Sequence, residues 1–298
     1  MNYRVMGCAI LVLISIQNRV QAQSDTSHYL YDGDGFVYAK PKNFSFITSL
    51  PPQTFSKGAK QTFQRKSVIA LSVITGSTLL LIPLDQSIND GIFRLSQRIN
   101  LDPERRYKTL IGFDVGNMEV NVYEVPQNLN TFFYSIGEGS TSILICTGLY
   151  LHGKIKQDYK SLHVSSQLLQ ALLAVGITTQ FVKRISGRES PFVATTSGGR
   201  WQPFTNPVVY QSKVPSYDAF PSGHLATMMA TTTILTLNYP DKKWIQPVGF
   251  SLIGLVGLAM VNNGVHWASD YPLALGVGYL FGKVTFSMNR WVRGELKK

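Results

Sequence analysis

The chain has 298 residues, of which 44% are hydrophobic and only 15% are charged. This length is enough for one large domain or two small ones with a sizeable core. The formal net charge is +11, and the basic residues lie mostly in short stretches between apolar segments. No basic helix interleaved with aromatic residues occurs, which argues against a nucleic-acid partner. A membrane surface or a phosphorylated substrate explains the positive charge better.

The first 22 residues have the pattern of an export signal. A positively charged start at residues 1–4 precedes a short apolar segment at 5–16, and small residues occupy the cleavage position at 20–22. The apolar segment is short for a membrane span. We therefore predict that residues 1–22 are a cleaved signal peptide and that the protein is exported.

The next part of the chain changes from polar to apolar and back to polar. Residues 23–66 are polar, aromatic and rich in turn-forming residues, and we expect a polar N-terminal arm there. Residues 68–84 form an uncharged run of 17 residues, which suits either a membrane span or a buried core helix. A mixed, charged insertion continues to residue 130, with an amphipathic helix predicted at 88–99 and a short strand or hairpin at 120–125.

Five further apolar segments follow, and each contains Gly, Ser or Thr at intervals, which permits close helix packing. They are residues 131–151, 162–182, 225–237, 245–261 and 272–286. The sequence thus predicts an all-α fold, a bundle of about six helices that is membrane-embedded or membrane-associated. Its core is expected at residues 131–288, after a first helix and insertion at 67–130 and before a basic tail at 289–298.

Basic residues orient this bundle if its helices cross a membrane. They lie in the connections at 154–160 and 242–243 and in the tail, all on one side, which the positive-inside rule makes cytoplasmic. A conflict remains, because a cleaved signal places residue 23 outside whereas six spans with a cytoplasmic tail place the arm inside. Either the run at 68–84 does not cross, or the first segment is not cleaved, or the bundle is a soluble exported one.

Three polar stretches carry candidate catalytic residues at the ends of apolar helices. The first includes Lys183 and Arg188, the second is the tetrapeptide at residues 221–224, and the third contains His266 and Asp270. The first ends one helix, the second begins the next, and the third follows the helix after that. In an up-and-down bundle these three points fall at the same end.

The residue types in these stretches suit phosphate chemistry. His266 and Asp270 are four residues apart, so on one helical turn the carboxylate can hold one imidazole nitrogen. The other nitrogen is then free as a nucleophile toward phosphorus. His224 follows the capping residue Ser222 in the first helical turn, where it can protonate the leaving oxygen.

Phosphate binding is expected from the positive charges and from the start of the helix at 223. Lys183 and Arg188 offset the phosphate charge, and the Ser222 hydroxyl and the Gly223 N–H can bind phosphate oxygens. The sequence suggests no metal site and no cofactor.

These stretches resemble the three motifs of the type 2 phosphatidic acid phosphatase superfamily, which also includes bacterial acid phosphatases and vanadium haloperoxidases. The family pattern is Lys-x6-Arg-Pro, then Pro-Ser-Gly-His, then Ser-Arg-x5-His-x3-Asp. The second motif is complete at residues 221–224, and the resemblance covers about residues 162–286. It implies a helical core and metal-independent hydrolysis of phosphate esters through a phosphohistidine.

The resemblance also assigns roles. It implies that His266 is the nucleophile, that Asp270 is its partner and that His224 is the acid. The implied phosphate-binding residues are Lys183, Ser222 and Gly223.

Two arginines of the family pattern are missing, since Ser190 and Met260 stand in their places and Ala259 replaces the serine of the third motif. Both lost groups would be guanidinium clamps, and removing such a donor costs about 10²–10³ in rate. Ser190 remains a candidate phosphate-binding residue. The candidate substitutes for the clamps are Arg184, Arg188, Arg200, Asn262 and Asn263.

The function predicted from these residues is hydrolysis of a lipid phosphate or diphosphate monoester at the periplasmic face of the inner membrane. The expected partners are a phosphorylated lipid and the membrane. Two alternatives are a non-catalytic protein that binds phosphate headgroups, suggested by the two lost arginines, and a soluble periplasmic acid phosphatase of broad specificity. A haloperoxidase is the weakest alternative, because vanadate binding should need the missing arginines.

Overall fold

The computed structural model describes residues 26–31, 34–39, 50–62, 64–115, 118–288 and 291–292. The predicted signal peptide lies outside the described residues. The α-helices are α1 (Leu50–Thr62), α2 (Arg65–Leu81), α3 (Asp85–Arg98), α4 (Leu129–Gly137), α5 (Ser140–Lys156), α6 (Tyr159–Ser186), α7 (Pro207–Ser212), α8 (Gly223–Asn238), α9 (Ile245–Asn262) and α10 (Tyr271–Met288).

Strands add two small antiparallel sheets to the predicted helical bundle. The strands are β1 (Thr26–Tyr31), β2 (Asp34–Ala39), β3 (Tyr107–Val115), β4 (Met118–Pro126) and β5 (Trp291–Val292). In one sheet β2 pairs with both β1 and β5, and in the other β3 and β4 form a hairpin. The hairpin predicted at 120–125 is therefore present, but it begins at Tyr107.

Helix α8 lies at the centre of the core, packed between α6, α9 and α10. Its buried side chains include Leu225, Ala226 and Ile234, which belong to the same cluster as Val175 of α6 and Val256 of α9. The predicted all-α helical bundle is confirmed. Its core forms because each of these helices buries apolar side chains against α8.

Small residues allow α8 and α10 to approach closely. A Cβ atom added at Gly278 of α10 would lie 2.2 Å from the carbonyl oxygen of Ala226. One at Gly282 would lie 2.8 Å from Cβ of Thr233. Glycine at these positions permits close backbone approach.

The core helices alternate in direction. At one end, Nζ of Lys160 lies 4.5 Å from the ring centroid of Tyr239 and joins the start of α6 to the end of α8. At the other end, Lys183 contacts Asp218 in the connection before α8. The basic connections thus lie at one end of the bundle, and the three candidate stretches lie at the other.

Two apolar segments differ from their predicted extents. The run at 131–151 divides into α4 and α5, because Gly139 adopts a left-handed conformation with φ +86°. The run at 68–84 continues through a 3₁₀ turn into α3, giving one helical stretch, Ser67–Arg98, of 32 residues. The predicted amphipathic helix consequently starts at Asp85.

Among the described residues, three helical stretches are long and apolar enough to cross a membrane, namely Ser67–Arg98, Tyr159–Ser186 and Ile245–Asn262. In the first, only 6% of the most apolar window is buried inside the protein. Ile69 and Leu80 of α2 are each 72% exposed. A continuous apolar surface of this kind requires lipid or another apolar partner.

The contact between α8 and α10 gives a stability prediction. Gly278→Ala should destabilise the protein by about 1–3 kcal/mol, because the new methyl group meets the α8 backbone. Gly254→Ala on α9 is the matched control, since a Cβ atom there has no neighbour within 4 Å, and it should be neutral or slightly stabilising. Thermal unfolding of detergent-solubilised protein, followed by circular dichroism, measures both. Equal melting temperatures for the two variants would contradict the packing described.

Candidate active site

Two imidazole rings from separate elements meet at one end of the bundle. His224 is the second residue of α8, and His266 lies in the connection between α9 and α10. Their ring centroids are 5.9 Å apart, with an interplanar angle of 72°. His266 is buried and His224 is partly buried. The structure therefore brings the two predicted catalytic histidines together.

The hydrogen bonding of His266 determines which of its ring nitrogens is free. Nδ1 lies 2.6 Å from the carbonyl oxygen of Ala219 and 3.5 Å from Oδ2 of Asp270. A carbonyl oxygen only accepts hydrogen bonds, so Nδ1 carries the proton and donates it. Nε2 then holds a lone pair, as a nucleophile requires.

Asp270 is adjacent to His266 but is not the closest partner of its Nδ1. The expected carboxylate–imidazole hydrogen bond assumed one helical turn, whereas Asp270 lies in a 3₁₀ turn, Ala268–Asp270. Its Oδ2 accepts a hydrogen bond from the N–H of Trp267 at 2.7 Å. The carboxylate remains near enough to stabilise a positive charge on His266.

The start of α8 presents free N–H groups beside His224. The buried hydroxyl of Ser222 accepts a hydrogen bond from the N–H of Leu225 at 3.4 Å and donates to Sδ of Met260 at 3.8 Å. Ser222 is therefore the predicted helix cap, and its hydroxyl is already occupied by protein partners. Within the described residues the N–H groups of Gly223 and His224 have no hydrogen-bond acceptor, which suits an anion.

Lys183 lies in the last turn of α6 and keeps one donor available. Its Nζ donates to the carbonyl oxygen of Asp218 at 2.8 Å and to the Asp218 carboxylate at 2.9 Å. The same carboxylate accepts a hydrogen bond from the Tyr210 hydroxyl at 2.6 Å. Because an ammonium group has three N–H donors, one remains for a phosphate oxygen.

Arg188, expected on the phosphate, is instead fully buried in an ion-pair network. Its Nη1 donates to Oδ1 of Asp270 and to the Ser269 hydroxyl, both at 2.6 Å. Its Nη2 donates to Oδ2 of Asp85 at 2.6 Å and to the carbonyl oxygen of Gly198 at 2.8 Å. All four Nη hydrogens are thus directed at protein acceptors, whereas Nε is buried and has no hydrogen-bond partner among the described residues.

Asp85 is a site residue that the sequence did not reveal. It is the first residue of α3, it is fully buried, and its Oδ1 accepts a hydrogen bond from the N–H of Ser269 at 2.9 Å. In the sequence, Asp85 is seen only as a single acidic residue directly after the uncharged run at residues 68–84. That position is also typical of an ordinary helix N-terminus, so the pattern alone did not indicate a buried ion pair.

The positions of the two missing arginines are filled by protein packing. Ser190 is buried, and its N–H donates to the carbonyl oxygen of Pro215 at 2.9 Å. Met260 is fully buried beneath the Ser222 hydroxyl. Neither side chain provides a positive charge.

Three of the five candidate substitutes for those arginines, including Arg188, donate hydrogen bonds from their side chains to protein groups. Arg184 donates to Gln180 and Asn262 donates to Asn130, whereas Arg200 has an exposed side chain and donates to Glu189 through its backbone N–H. The amide nitrogen of Asn263 has no partner among the described residues. In the described part of the chain, no contact joins Arg184 or Arg200 to either histidine.

A different arginine lies near the histidines. Arg105, in the segment before β3, places Nη1 3.3 Å from the Tyr134 hydroxyl and Cζ 5.4 Å from the Tyr134 ring centroid. The ring of Tyr134 lies 5.0 Å from that of His224. The sequence offered no signal for Arg105 beyond a pair of adjacent arginines in the insertion.

A comparison with known families covers this region. Residues 165–293 match the model of the PAP2 superfamily. The matched segment contains all three candidate stretches, so the resemblance drawn from their motifs is confirmed.

One curated relative of this PAP2 segment is a lipid A 1-phosphatase from Porphyromonas gingivalis, which is 33% identical over 70 residues. The alignment covers 23% of this chain and only 16% of that protein. Among solved structures, Aquifex aeolicus LpxE gives a TM-score of 0.40 at 18% identity, over 53% of this chain and 83% of that one.

A second solved structure is that of a transmembrane PAP2 type phosphatidylglycerolphosphate phosphatase from Bacillus subtilis. It gives a TM-score of 0.33 at 14% identity, over 82% of this chain and 94% of that one.

The buried network around Arg188 gives a second prediction. Asp85→Asn removes one of two carboxylates from a buried guanidinium and should destabilise the protein by about 3–5 kcal/mol. Asp90→Asn on the same helix is the control, because Asp90 only accepts a hydrogen bond from Gln86 and should cost about 0.5 kcal/mol or less. Melting temperatures in detergent report the difference. A similar small loss in both variants would show that the pairing of Arg188 contributes little to stability.

Proposed function

We propose that this protein is a metal-independent phosphatase that hydrolyses a lipid phosphate or diphosphate monoester through a phosphohistidine. The observation that carries this proposal is the pairing of His266, with its free Nε2, and His224, at a helix start with unpaired N–H groups. The motifs of the PAP2 segment support the same reaction class.

The proposed reaction has two steps. Nε2 of His266 attacks phosphorus, the bond from phosphorus to the ester oxygen breaks, and His224 donates a proton to the departing oxygen. In the second step a water molecule attacks the phosphohistidine while His224 takes a proton from it. Orthophosphate leaves, and both histidines return to their starting states. Asp270 stabilises the positive charge on His266 during both steps.

In this proposal the phosphate is bound by groups whose N–H donors have no protein acceptor. These are the N–H groups of Gly223 and His224 and the third N–H of Lys183. Such donors stabilise charge that develops on phosphoryl oxygens. Ser190 and Ser222 contribute by fixing the backbone around the site rather than through their hydroxyls.

A lipid substrate is proposed because the anion site adjoins apolar helices. The exposed apolar surface of α2 and the candidate spans suit a substrate whose tail lies in the membrane. The name of the relative, a lipid A 1-phosphatase, agrees with this substrate class.

The orientation proposed for the membrane places the histidines at the periplasmic face. The basic connections lie at the opposite end of the bundle, which the positive-inside rule assigns to the cytoplasm. The arm lies at that end too, since β2 pairs with β5 of the tail and Tyr38 contacts the ring of His163. This arrangement favours the alternative in which the first segment is not cleaved and residues 68–84 cross the membrane.

The catalytic proposal predicts the effect of losing the nucleophile. His266→Ala should lower phosphate release from phosphatidic acid by about 10³-fold or more, measured on purified protein in detergent with EDTA present. His152→Ala is the control, because His152 is near the end of α5 on an exposed surface, and it should retain activity. Full activity of His266→Ala would eliminate the mechanism, and orthophosphate binding without any turnover would favour the headgroup-binding alternative.

The proposed orientation predicts labelling by a membrane-impermeant maleimide. In a background of Cys8→Ser and Cys146→Ser, cysteine replaces either Ser197 at the histidine end or Lys243 at the basic end, both exposed. In intact spheroplasts Ser197→Cys should be labelled and Lys243→Cys only after permeabilisation. The reverse pattern would invert the topology, and release of the protein by osmotic shock without detergent would support the soluble alternative.

A further inference from the structure

We propose that Arg105 binds the substrate phosphate and supplies the guanidinium that the motifs lack at Ser190 and Met260. This inference rests on the proposed function and names a residue outside the matched segment, which begins at residue 165. Three independent observations support it: the position of Arg105, its lack of a carboxylate partner, and the anchoring of its backbone.

Arg105 lies beside the catalytic histidine and over the first motif. Its guanidinium stacks near two rings, with Cζ 5.4 Å from the centroid of Tyr134 and 5.9 Å from that of Phe192. The Tyr134 ring contacts His224, and Phe192 follows Ser190 by two residues. The charge therefore lies near the ring that contacts His224 and near a ring that follows the family's first arginine position by two residues.

Arg105 forms no ion pair with a carboxylate within 4 Å in the described residues. Its neighbour Arg106 forms ion pairs with Asp102 at 3.1 Å and Glu104 at 2.9 Å, whereas Arg105 forms none in that part of the chain. A guanidinium that is exposed, unpaired and close to an anion site is available for a phosphate.

Glu138 is an acidic residue whose charge acts on Arg105, and its carboxylate accepts a hydrogen bond from a third residue. The Tyr107 hydroxyl donates to Oε1 of Glu138 at 3.1 Å. Burial, more than the charge of Glu138, raises the pKa of Tyr107 well above its usual value. The hydroxyl therefore keeps its proton and this hydrogen bond, and Glu138 is held by Tyr107 rather than by an ion pair with Arg105.

The backbone around Arg105 is fixed to α4, the helix that carries Tyr134. The Arg106 N–H donates to the Thr131 hydroxyl at 3.1 Å, and the Asn128 amide donates to the carbonyl oxygen of Glu104 at 2.8 Å. Residues on both sides of Arg105 are thus held in place. A positioned guanidinium loses less conformational freedom when it binds, and its planar fork can bind two phosphate oxygens at once.

The role of Arg105 is tested by comparing its substitution with the same substitution of its neighbour Arg106. Arg105→Gln should lower kcat/KM for phosphatidic acid by about 10²-fold and weaken binding of inorganic orthophosphate by about tenfold or more, measured by titration calorimetry on the full chain in detergent. Arg106→Gln, which removes an exposed guanidinium one residue away, should change both quantities less than about twofold.

Arg105→Lys separates charge from geometry. It keeps the positive charge but loses the two-pronged donor, so it should fall between the wild type and Arg105→Gln in both measurements. If Arg105→Gln fails to fold, as judged by its melting temperature, the lysine variant decides the question. Wild-type values for a folded lysine variant would then overturn the role of Arg105.

The two readouts distinguish this inference from the proposed function. Equal orthophosphate affinity and equal turnover in Arg105→Gln and Arg106→Gln would overturn the role of Arg105 even if His266→Ala is inactive. Conversely, a wild-type protein that releases no phosphate would refute the proposed catalysis. Weaker orthophosphate binding in Arg105→Gln alone would still support Arg105 as the anion ligand.

Discussion

A guanidinium group without solvent contact has to be surrounded by acceptors, because burying an unpaired charge is strongly unfavourable. The two Nη groups of Arg188 meet this requirement with Asp85 from the start of α3 and Asp270 from the turn before α10. The contact with Asp85 joins residues 103 positions apart in the chain. This one side chain therefore fixes the relative positions of the insertion, the end of α6 and the loop that carries His266.

The same residue also positions the imidazole of His266 through the backbone. The Ala219 N–H donates to the carbonyl oxygen of Arg188 at 3.0 Å, and the Ala219 carbonyl oxygen accepts from Nδ1 of His266. Arg188 thus reaches the histidine by two routes, one through the Asp270 carboxylate and one through Ala219. Arg188 therefore organises the groups around the two histidines through its own hydrogen bonds.

The helical core and the convergence of the three stretches could be predicted from the sequence, since apolar segments with short connections permit few arrangements. The direction of a long polar side chain could not be predicted, as Arg188 illustrates. Its burial against Asp85 depends on a tertiary contact that leaves no local pattern. Arg105 was missed for a similar reason, because an arginine in a charged insertion is normally a solvated surface residue.

The break between α4 and α5 at Gly139 and the 3₁₀ turn before Asp85 show a related limit in predicting structure from sequence. Hydrophobic runs indicate where apolar helices lie, but the ends of helices depend on single residues and on their tertiary contacts. The extent of the hairpin was underestimated because β3 has exposed apolar residues such as Leu110 and Phe113, which do not follow the half-buried alternation of a typical strand.

The continuous helical stretch Ser67–Arg98 has a mechanical consequence. Its N-terminal part presents apolar side chains outward, and Asp85, near its middle, is bound to Arg188 and Ser269. Because Asp85 is part of this helical stretch, its ion pair with Arg188 connects the stretch directly to the group that also binds Asp270. A displacement of the helix at Asp85 therefore has to be accommodated by the ion-pair network next to the histidine loop.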